Sequence, residues 1–320
     1  MGVENIERHE LKIQSSDGKH ILCGAVFVPT AEKKGFFQVV HGMTEHITRY
    51  EAFMRDMAEA GYVCFGCDNL GHGGSVSDDS ELGYIADENG WKLLVEDVKT
   101  VSEAVISRYS ENEKEGLPYF LMGHSMGSFI VRLAATEAVK PDALIVMGTG
   151  GYNPATGAGL LLARTIGAVK GKHSVSPLLY KLAFGGYNKR FGGGSADDAS
   201  PWLTTDEEIR KKYYADKYCT FKFTVSAMID LMTLTRNANS AKWYESIPKE
   251  LPVLLVSGEE DPVGAYGKGV REVERKLSGK GIDCRCIIYP KARHEILNDF
   301  TYAQVKGDIL EFCANASEKI

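Results

Sequence analysis

The chain has 320 residues and an ordinary globular composition, 44% hydrophobic and 25% charged, so it can bury a large core. Its 37 basic and 43 acidic side chains give a formal net charge of -6, which offers no attraction to nucleic acid or to an anionic membrane. The N-terminal segment is charged and alternating, and no apolar run reaches the roughly 18 residues that would span a bilayer. We therefore expect a cytoplasmic protein without a signal peptide or a transmembrane segment.

An opening hairpin is predicted over HELKIQSS and ILCGAVFVP. After it, short apolar runs (FFQVV, YVCFGC, YFLMGH, ALIVM) alternate with longer segments of helical period. Strands that are apolar throughout and are joined by amphipathic helices indicate a parallel sheet covered on both faces. The predicted fold class is therefore α/β, with a mostly parallel central sheet and helices on both faces.

This alternation breaks over residues 151–235 and then resumes. The sequence thus predicts a core whose first part is 1–150, a mainly helical cap insertion over 151–235 and a second core part over 236–320. The Gly-rich FGGGSADDAS is interpreted as a loop within the insertion. The many apolar residues of the insertion suit an acyl chain, although most of them must form the cap's own core, because a helix pair needs one buried face. Its segment GAGLLLARTIGA leaves a transient contact with a membrane surface open.

The cysteines, seven in number, fall mostly inside predicted strands. Cys64-x-x-Cys67 has the spacing of a redox pair or of half a zinc site. No second such pair and no pair of histidines follows at ligand spacing, which favours buried, reduced thiols in a reducing compartment.

A candidate nucleophile lies in the sequence Gly-His-Ser-Met-Gly, where a predicted strand ends and a predicted helix begins. Gly123 and Gly127 permit a close backbone approach on both sides of Ser125, which would place its hydroxyl at the tip of a tight turn. The N–H of Met126 would then point at a substrate carbonyl. The alternative is a serine with only a structural role in the turn.

A serine nucleophile needs an imidazole to take its proton and a carboxylate to orient that imidazole. Asp261 and His294 each follow a predicted strand, and parallel strands bring such positions to one edge of the sheet. Either Glu259 or Glu260 could supply the carboxylate instead of Asp261. His294 is the only histidine beyond Asp261, whereas His72 and His173 belong to a loop before the nucleophile and to the insertion.

The loop HGMTEHITRY follows the strand FFQVV. Gly42 allows a sharp turn that leaves the N–H of Met43 free to act as an oxyanion donor, paired with that of Met126. His41 is expected to support this loop. A metal site of His41 and His46 would lack a third ligand at any usual spacing, so neither a metal nor a cofactor is expected.

These segments resemble the monoacylglycerol lipase and lysophospholipase branch of the α/β-hydrolases, which is also described as serine-aminopeptidase-like. The likeness runs through HGMTEHITRY, DNLGHGGS, GHSMGS, LVSGEEDPV and YPKARHEILND. It implies an α/β-hydrolase fold, catalytic roles for Ser125, Asp261 and His294, and oxyanion donors at Met43 and Met126. It also implies a cap that holds the acyl chain, and FGGYNKRF and WLTTDEE are similar to bacterial lysophospholipase-like members.

The predicted activity is hydrolysis of a carboxylic ester of a monoacyl lipid, a monoacylglycerol or a lysophospholipid, through an acyl-enzyme intermediate. One alternative is an aminopeptidase of the same fold, in which Glu45 could hold the substrate ammonium group. The other is a non-catalytic binding protein, which would be free to lose the triad. The sequence does not define the head group, the acyl length or the oligomeric state.

Overall fold

The computed structural model describes residues 6–110, 116–192 and 200–319, so most of the Gly-rich segment FGGGSADDAS lies outside the described residues. One eight-stranded sheet has the order β1-β2-β4-β3-β5-β6-β7-β8. β1 pairs with β2 and β2 with β4 in antiparallel fashion, and the remaining neighbours are parallel. The strands are β1 Ile6–Gln14, β2 Ile21–Pro29, β3 Gly35–Val40, β4 Tyr62–Cys67, β5 Tyr119–His124, β6 Ala143–Met147, β7 Val253–Gly258 and β8 Cys284–Tyr289. The predicted α/β class and the opening hairpin are confirmed.

Helices cover both faces of the sheet. They are α1 Glu51–Glu59, α2 Gly90–Tyr109, α3 Met126–Glu137, α4 Thr156–Lys170, α5 Pro177–Phe184, α6 Glu207–Ala215, α7 Val225–Ala238, α8 Ala241–Ser246, α9 Lys268–Ser278 and α10 Tyr302–Ser317. On one face α2 and α3 pack through residues such as Val98 and Ile130, while α1 and α10 pack on the other through Met54 and Ile309.

None of the seven cysteines forms a disulfide. Cys64 and Cys67 both lie on β4, but three positions apart in a strand their side chains point to opposite faces of the sheet. Each is buried in a different core cluster. This geometry rules out the redox pair that their spacing allowed.

The segment between β6 and β7 contains α4 to α8, and the first four of these helices begin within the predicted insertion. Helix α7 packs on α3 and α4 and continues to Ala238, three residues past 235. The fully buried guanidinium of Arg132 donates to the carbonyl oxygens of Gly150 and Ala238. These two carbonyls lie where the chain enters and leaves the insertion. The side chain of Arg132 therefore links the two ends of the insertion to each other.

The apolar side chains of the insertion fall into two groups. Leu160 and Leu179 are buried in it, whereas Leu161 on α4 and Leu182 on α5 are 70% and 65% exposed. Part of the apolar side chains of the insertion is thus buried, and another part is exposed. In the described part of the chain, no helix combines the length and the apolar character needed to cross a membrane.

Candidate active site

Ser125 occupies the sharp turn between β5 and α3. Its backbone has φ 54 and ψ -117, a conformation that non-glycine residues rarely adopt, and its N–H donates to the Met147 carbonyl oxygen at 3.0 Å. A Cβ atom on Gly123 would lie 2.2 Å from the Gly127 oxygen, and one on Gly127 would lie 2.1 Å from the Val40 oxygen. The two glycines are therefore required by close backbone contacts, and the turn holds Ser125 at the carboxyl edge of the sheet.

Two backbone N–H groups flank this turn. Met126 is the first residue of α3, and the loop after β3 brings Met43 to the same edge. A Cβ atom on Gly42 would lie only 2.9 Å from the Cβ of Ser125, so this loop touches the candidate nucleophile. Within residues 6–110, 116–192 and 200–319, neither the Met43 nor the Met126 N–H has a hydrogen-bond acceptor. Both groups are therefore candidates for binding a developing oxyanion.

Asp261 and His294 follow β7 and β8 and meet at the same edge. Asp261 is fully buried, and its Oδ2 lies 2.9 Å from Nδ1 of His294, itself 2% exposed. The contact is close but too bent for a linear hydrogen bond. The other carboxylate oxygen accepts the Val263 N–H at 2.8 Å, and the Ser257 hydroxyl donates to Oδ2 at 3.2 Å. These contacts fix the carboxylate against the imidazole.

The two neighbouring acids face away from this histidine. The exposed Glu259 accepts the N–H of Lys291 at 3.1 Å, and the half-exposed Glu260 lies 3.8 Å from the Arg293 guanidinium. Of the three acids considered from the sequence, only Asp261 approaches the imidazole.

The ring of His294 is enclosed by three neighbours. Its centroid lies 4.6 Å from that of His124 and 5.0 Å from that of Trp202 in the insertion, and a Cβ atom on Gly148 would lie 3.1 Å from its Cε1. Trp202 also accepts the backbone N–H of His294 through its carbonyl oxygen, at 3.4 Å. The insertion therefore contributes directly to the position of this histidine.

A buried carboxylate holds the loop after β3. Glu45 is 3% exposed and accepts the Gly42 N–H at 2.6 Å, the Tyr50 hydroxyl at 3.0 Å and the Arg49 guanidinium at 2.8 Å. With both oxygens occupied and shielded from solvent, this side chain is not placed to hold a substrate ammonium group. The structure therefore removes the feature on which the aminopeptidase alternative depended.

Arg49 joins this loop to the segment that contains the candidate base. Its two terminal nitrogens donate to the two carboxylate oxygens of Glu295 at 2.8 and 2.6 Å. Burial opposes ionisation of Glu45, but the hydrogen bond and charge of His124 and the charge of Arg49 hold its pKa well below the usual range. Burial likewise disfavours the guanidinium, yet the carboxylates of Glu295 and Glu45 raise the pKa of Arg49. Glu45 and Arg49 are thus both charged, and their opposite charges compensate each other.

His124 links the same network to His294. Its Nδ1 lies 3.1 Å from Glu45 Oε1, and its Nε2 lies 3.3 Å from the backbone oxygen of His294. Because both ring nitrogens face acceptors, the ring fits best as an imidazolium. Burial lowers its pKa, but the hydrogen bond and charge of Glu45 outweigh this effect, so the pKa lies above its ordinary value.

His41 is fully buried and joins two loops. Its Nδ1 donates to the Gly42 oxygen at 2.8 Å, and its Nε2 accepts the Asn69 N–H at 2.8 Å. Burial lowers the pKa of this ring, which is therefore neutral, and its position is that of a support for the loop.

The remaining histidines considered from the sequence lie elsewhere. His72 packs against the rings of Phe221 and Phe223, and burial lowers its pKa to about 3. His173 is largely exposed beside Asp87. Neither is placed to act as the base.

A family model described as Serine aminopeptidase, S33 matches residues 31–301. The chain belongs to this family. It is 32% identical to a Homo sapiens monoglyceride lipase over 125 residues, 38% of this chain and 37% of the relative. It is 24% identical to a monoacylglycerol lipase of Mycolicibacterium smegmatis over 285 residues, 89% of each chain. The chain spans only 37% to 41% of the length of the human, viral, rat and mouse relatives that it matches.

The α/β-hydrolase fold expected of this S33 family member is confirmed by its structural relatives. A thermostable carboxyl esterase from Bacillus coagulans, solved in complex with glycerol, superposes with a TM-score of 0.88 at 29% identity, covering 97% of this chain and 99% of that one.

Sequence reasoning missed most of the buried network of this S33 family member. It did not assign roles to Arg49, Tyr50, His124 or Glu295. Two signals could have found them: HGMTEHITRY places an acid, a base and a tyrosine at helical spacing, and His124 and Glu295 are the sequence neighbours of Ser125 and His294.

Proposed function

We propose that this S33 family member is a serine hydrolase that cleaves the carboxylic ester of monoacylglycerols through an acyl-enzyme. The observation that carries this proposal is the convergence at one sheet edge of Ser125, the close Asp261–His294 pair and two N–H groups that have no acceptor among the described residues. A binding protein would have no need of this combination, which is costly to keep in a strained turn.

In the first half-reaction, Ser125 Oγ attacks the ester carbonyl carbon while His294 accepts the hydroxyl proton at Nε2. Asp261, at Nδ1, stabilises the imidazolium that forms. The N–H groups of Met43 and Met126 bind the oxyanion of the tetrahedral intermediate. Collapse of this intermediate breaks the bond to the glycerol oxygen, which takes the proton from His294.

In the second half-reaction, His294 removes a proton from water, and the resulting nucleophile attacks the acyl carbon on Ser125. A second tetrahedral intermediate uses the same two N–H groups. Its collapse releases the fatty acid and returns the proton to Ser125. No cofactor is needed, because the protein's own groups supply the nucleophile, the base and the oxyanion donors.

A neutral head group suits the site better than a phosphodiester. The guanidinium of Arg49, which follows the oxyanion loop in the sequence, donates to Glu45 and Glu295 and is therefore not available to a phosphate. Beside His294 the insertion presents Trp202, whose ring stacks edge-on with that of Tyr187. The monoglyceride lipase relatives support a glycerol head group. We take the insertion, 151–235, as a cap whose apolar and aromatic side chains contact the acyl chain.

A substrate panel tests this proposal. We would compare kcat/KM for a monoacylglycerol, the lysophosphatidylcholine with the same acyl chain and an aminoacyl amide, with Ser125→Ala as the inactive control. The monoacylglycerol should be cleaved fastest. Faster cleavage of the lysophospholipid would show that the preferred head group is a phosphodiester. Faster cleavage of the amide would show that the protein is an aminopeptidase.

A series of monomeric p-nitrophenyl esters from acetyl to dodecanoyl tests the cap. Each methylene that leaves water contributes up to roughly 0.8 kcal/mol, or about a fourfold gain in kcat/KM, until the site is filled. The kcat/KM value should therefore rise with acyl-chain length and then reach a plateau. A maximum at acetate would show that the cap does not bind the chain.

A further inference from the structure

A nitrogen, an oxygen and a sulfur ligand meet where the loop after β3 contacts the cap. His46 lies in that loop, whereas Asp216 and Cys219 lie in the turn that follows α6. One ligand atom of each residue lies within 4.8 Å of the ligand atoms of the other two. Ligands of a tetrahedral metal ion are about 3.5 Å apart, so small side-chain rotations are enough to close this triangle around an ion.

Neighbouring groups already orient two of the three ligands. The Nε2 of His46 faces Asp216 Oδ2 at 2.9 Å, while its Nδ1 lies 2.6 Å from the Thr48 hydroxyl. Nε2–H therefore donates to the carboxylate and Nδ1 accepts the Thr48 hydroxyl. An ion would take the place of the Nε2 proton, and Nδ1–H would then donate to Thr48 in the tautomer that a metal ligand requires. The Tyr218 N–H donates to Oδ1 of Asp216 at 2.8 Å and leaves the other oxygen for an ion.

The burial and chemistry of the three ligands indicate which ion fits. Cys219 is 3% exposed, the His46 side chain 12% and the Asp216 side chain 34%, so the group is buried at the sulfur and reachable at the carboxylate. Calcium and magnesium prefer oxygen ligands alone, whereas zinc takes mixed sulfur, nitrogen and oxygen donors. The sequence offered no third ligand for His46, because the other two follow it by 170 residues or more.

We infer that His46, Asp216 and Cys219 form a Zn²⁺ site, with water as the fourth ligand. On binding, Cys219 coordinates as the thiolate and its proton passes to the solvent. The ion would tie the loop that carries Met43 to α6, whose Tyr213 hydroxyl already donates to the Thr44 carbonyl oxygen at 2.8 Å. This site is separate from the proposed ester hydrolysis, which needs no metal, and it would stabilise the contact between the cap and the oxyanion loop.

The test uses the full-length protein without an affinity tag, first treated with a chelator and then titrated with Zn²⁺ or Co²⁺. Elemental analysis should give one zinc per chain, and Co²⁺ should produce the charge-transfer absorption of a cobalt–thiolate bond. Zn²⁺ should also raise the thermal unfolding temperature, because it binds the folded state. Loss of one ligand, in Cys219→Ser or Asp216→Asn, should weaken zinc binding at least about tenfold.

Cys286→Ser is the matched control, since Cys286 is a partly buried cysteine on β8 outside this cluster. It should bind zinc as the wild type does. Unfolding temperatures measured in chelator show whether Cys219→Ser folds, and Asp216→Asn tests the site independently of the cysteine. Absence of stoichiometric zinc, a cobalt complex without thiolate absorption, or unchanged affinity in both ligand variants would overturn the inference, and none of these outcomes bears on hydrolysis of esters.

Discussion

The Nε2 of His124 lies 3.3 Å from the backbone carbonyl oxygen of His294, so the residue before the candidate nucleophile is bound to the candidate base. The other ring nitrogen of His124 faces Glu45, which also accepts the Gly42 N–H in the loop after β3. One buried carboxylate thus connects the loop that carries Met43 to the position of His294. We expect this network to set the geometry of the site without taking part in bond making.

Arg49→Met tests the ionic part of this network. The substitution leaves the carboxylate of Glu295 buried without its cation and leaves Glu45 with His124 alone, and loss of one member of a buried ion pair costs about 3–5 kcal/mol. The free energy of unfolding in urea measures the effect. Arg8→Met is the control, because Arg8 pairs with Glu51 at the surface, where both side chains are more than 30% exposed (37% and 34%), and such pairs contribute at most about 1 kcal/mol. Equal losses in the two variants would contradict the proposed importance of the network.

Asp261→Asn tests the assignment of the carboxylate. The amide would fit the same space but would no longer stabilise the imidazolium of His294, so kcat should fall by about 10⁴, as in other serine triads. Glu260→Gln is the matched control and should retain near wild-type turnover, because Glu260 faces Arg293. Steady-state kinetics on one p-nitrophenyl ester compares the two. If the control loses activity and Asp261→Asn keeps it, the role belongs to Glu260.

Gly127→Ala tests the backbone packing at the turn. Its new methyl group would lie 2.1 Å from the Val40 carbonyl oxygen, and such overpacking costs about 3 kcal/mol. Gly157→Ala on α4 is the control: nothing lies within 4 Å of its Cβ position, and alanine favours the helix by about 0.5 kcal/mol. Thermal unfolding should therefore shift in opposite directions. A Gly127→Ala protein as stable as the wild type would show that the turn tolerates a side chain.

The sequence was sufficient for the elements that one local pattern defines. The all-apolar strands, the helices with a clear apolar stripe and the glycine-flanked serine all lie where they were expected. The helix α6 was not predicted, because Arg210 is its only buried residue and it has no apolar stripe. The placement of β4 between β2 and β3 also required long-range pairing that no local pattern encodes.

The same distinction applies to the site. Ser125, Asp261 and His294 could be proposed because each follows a strand, and parallel strands bring their ends to one edge. The Arg49–Glu295 pair joins residues 246 positions apart, and neither residue shows in isolation that it is buried. Sequence spacing indicates which residues share an element, but contacts between elements depend on packing.

Asp230 gives a prediction for pH. This carboxylate on α7 accepts the Trp91 N–H at the start of α2, at 3.0 Å, and burial raises its pKa to about 7. Unfolded aspartate has a pKa of about 4, so between pH 4 and 7 the folded state binds more protons and stability falls as the pH rises. The contribution of Asp230 to the stability of the folded state is complete below about pH 4 and is lost as the pH rises through about 7.

Asp230→Asn should remove this dependence and still accept the Trp91 N–H. Between pH 5 and pH 8, the wild type should lose up to a few kcal/mol of unfolding free energy relative to the variant. Urea unfolding of both proteins at the two pH values measures this difference. Parallel losses in the two proteins would show that Asp230 does not titrate in this range.

The most direct test of the central claim is active-site labelling. A fluorophosphonate reacts with a serine that is activated by a base and faces an oxyanion hole, and peptide mass spectrometry then locates the adduct. We predict one adduct per chain, on Ser125, formed more slowly when a monoacylglycerol is present and absent from Ser125→Ala. Absence of labelling, or an adduct on another residue that persists in Ser125→Ala, would contradict the assignment of this protein as a Ser125-dependent ester hydrolase.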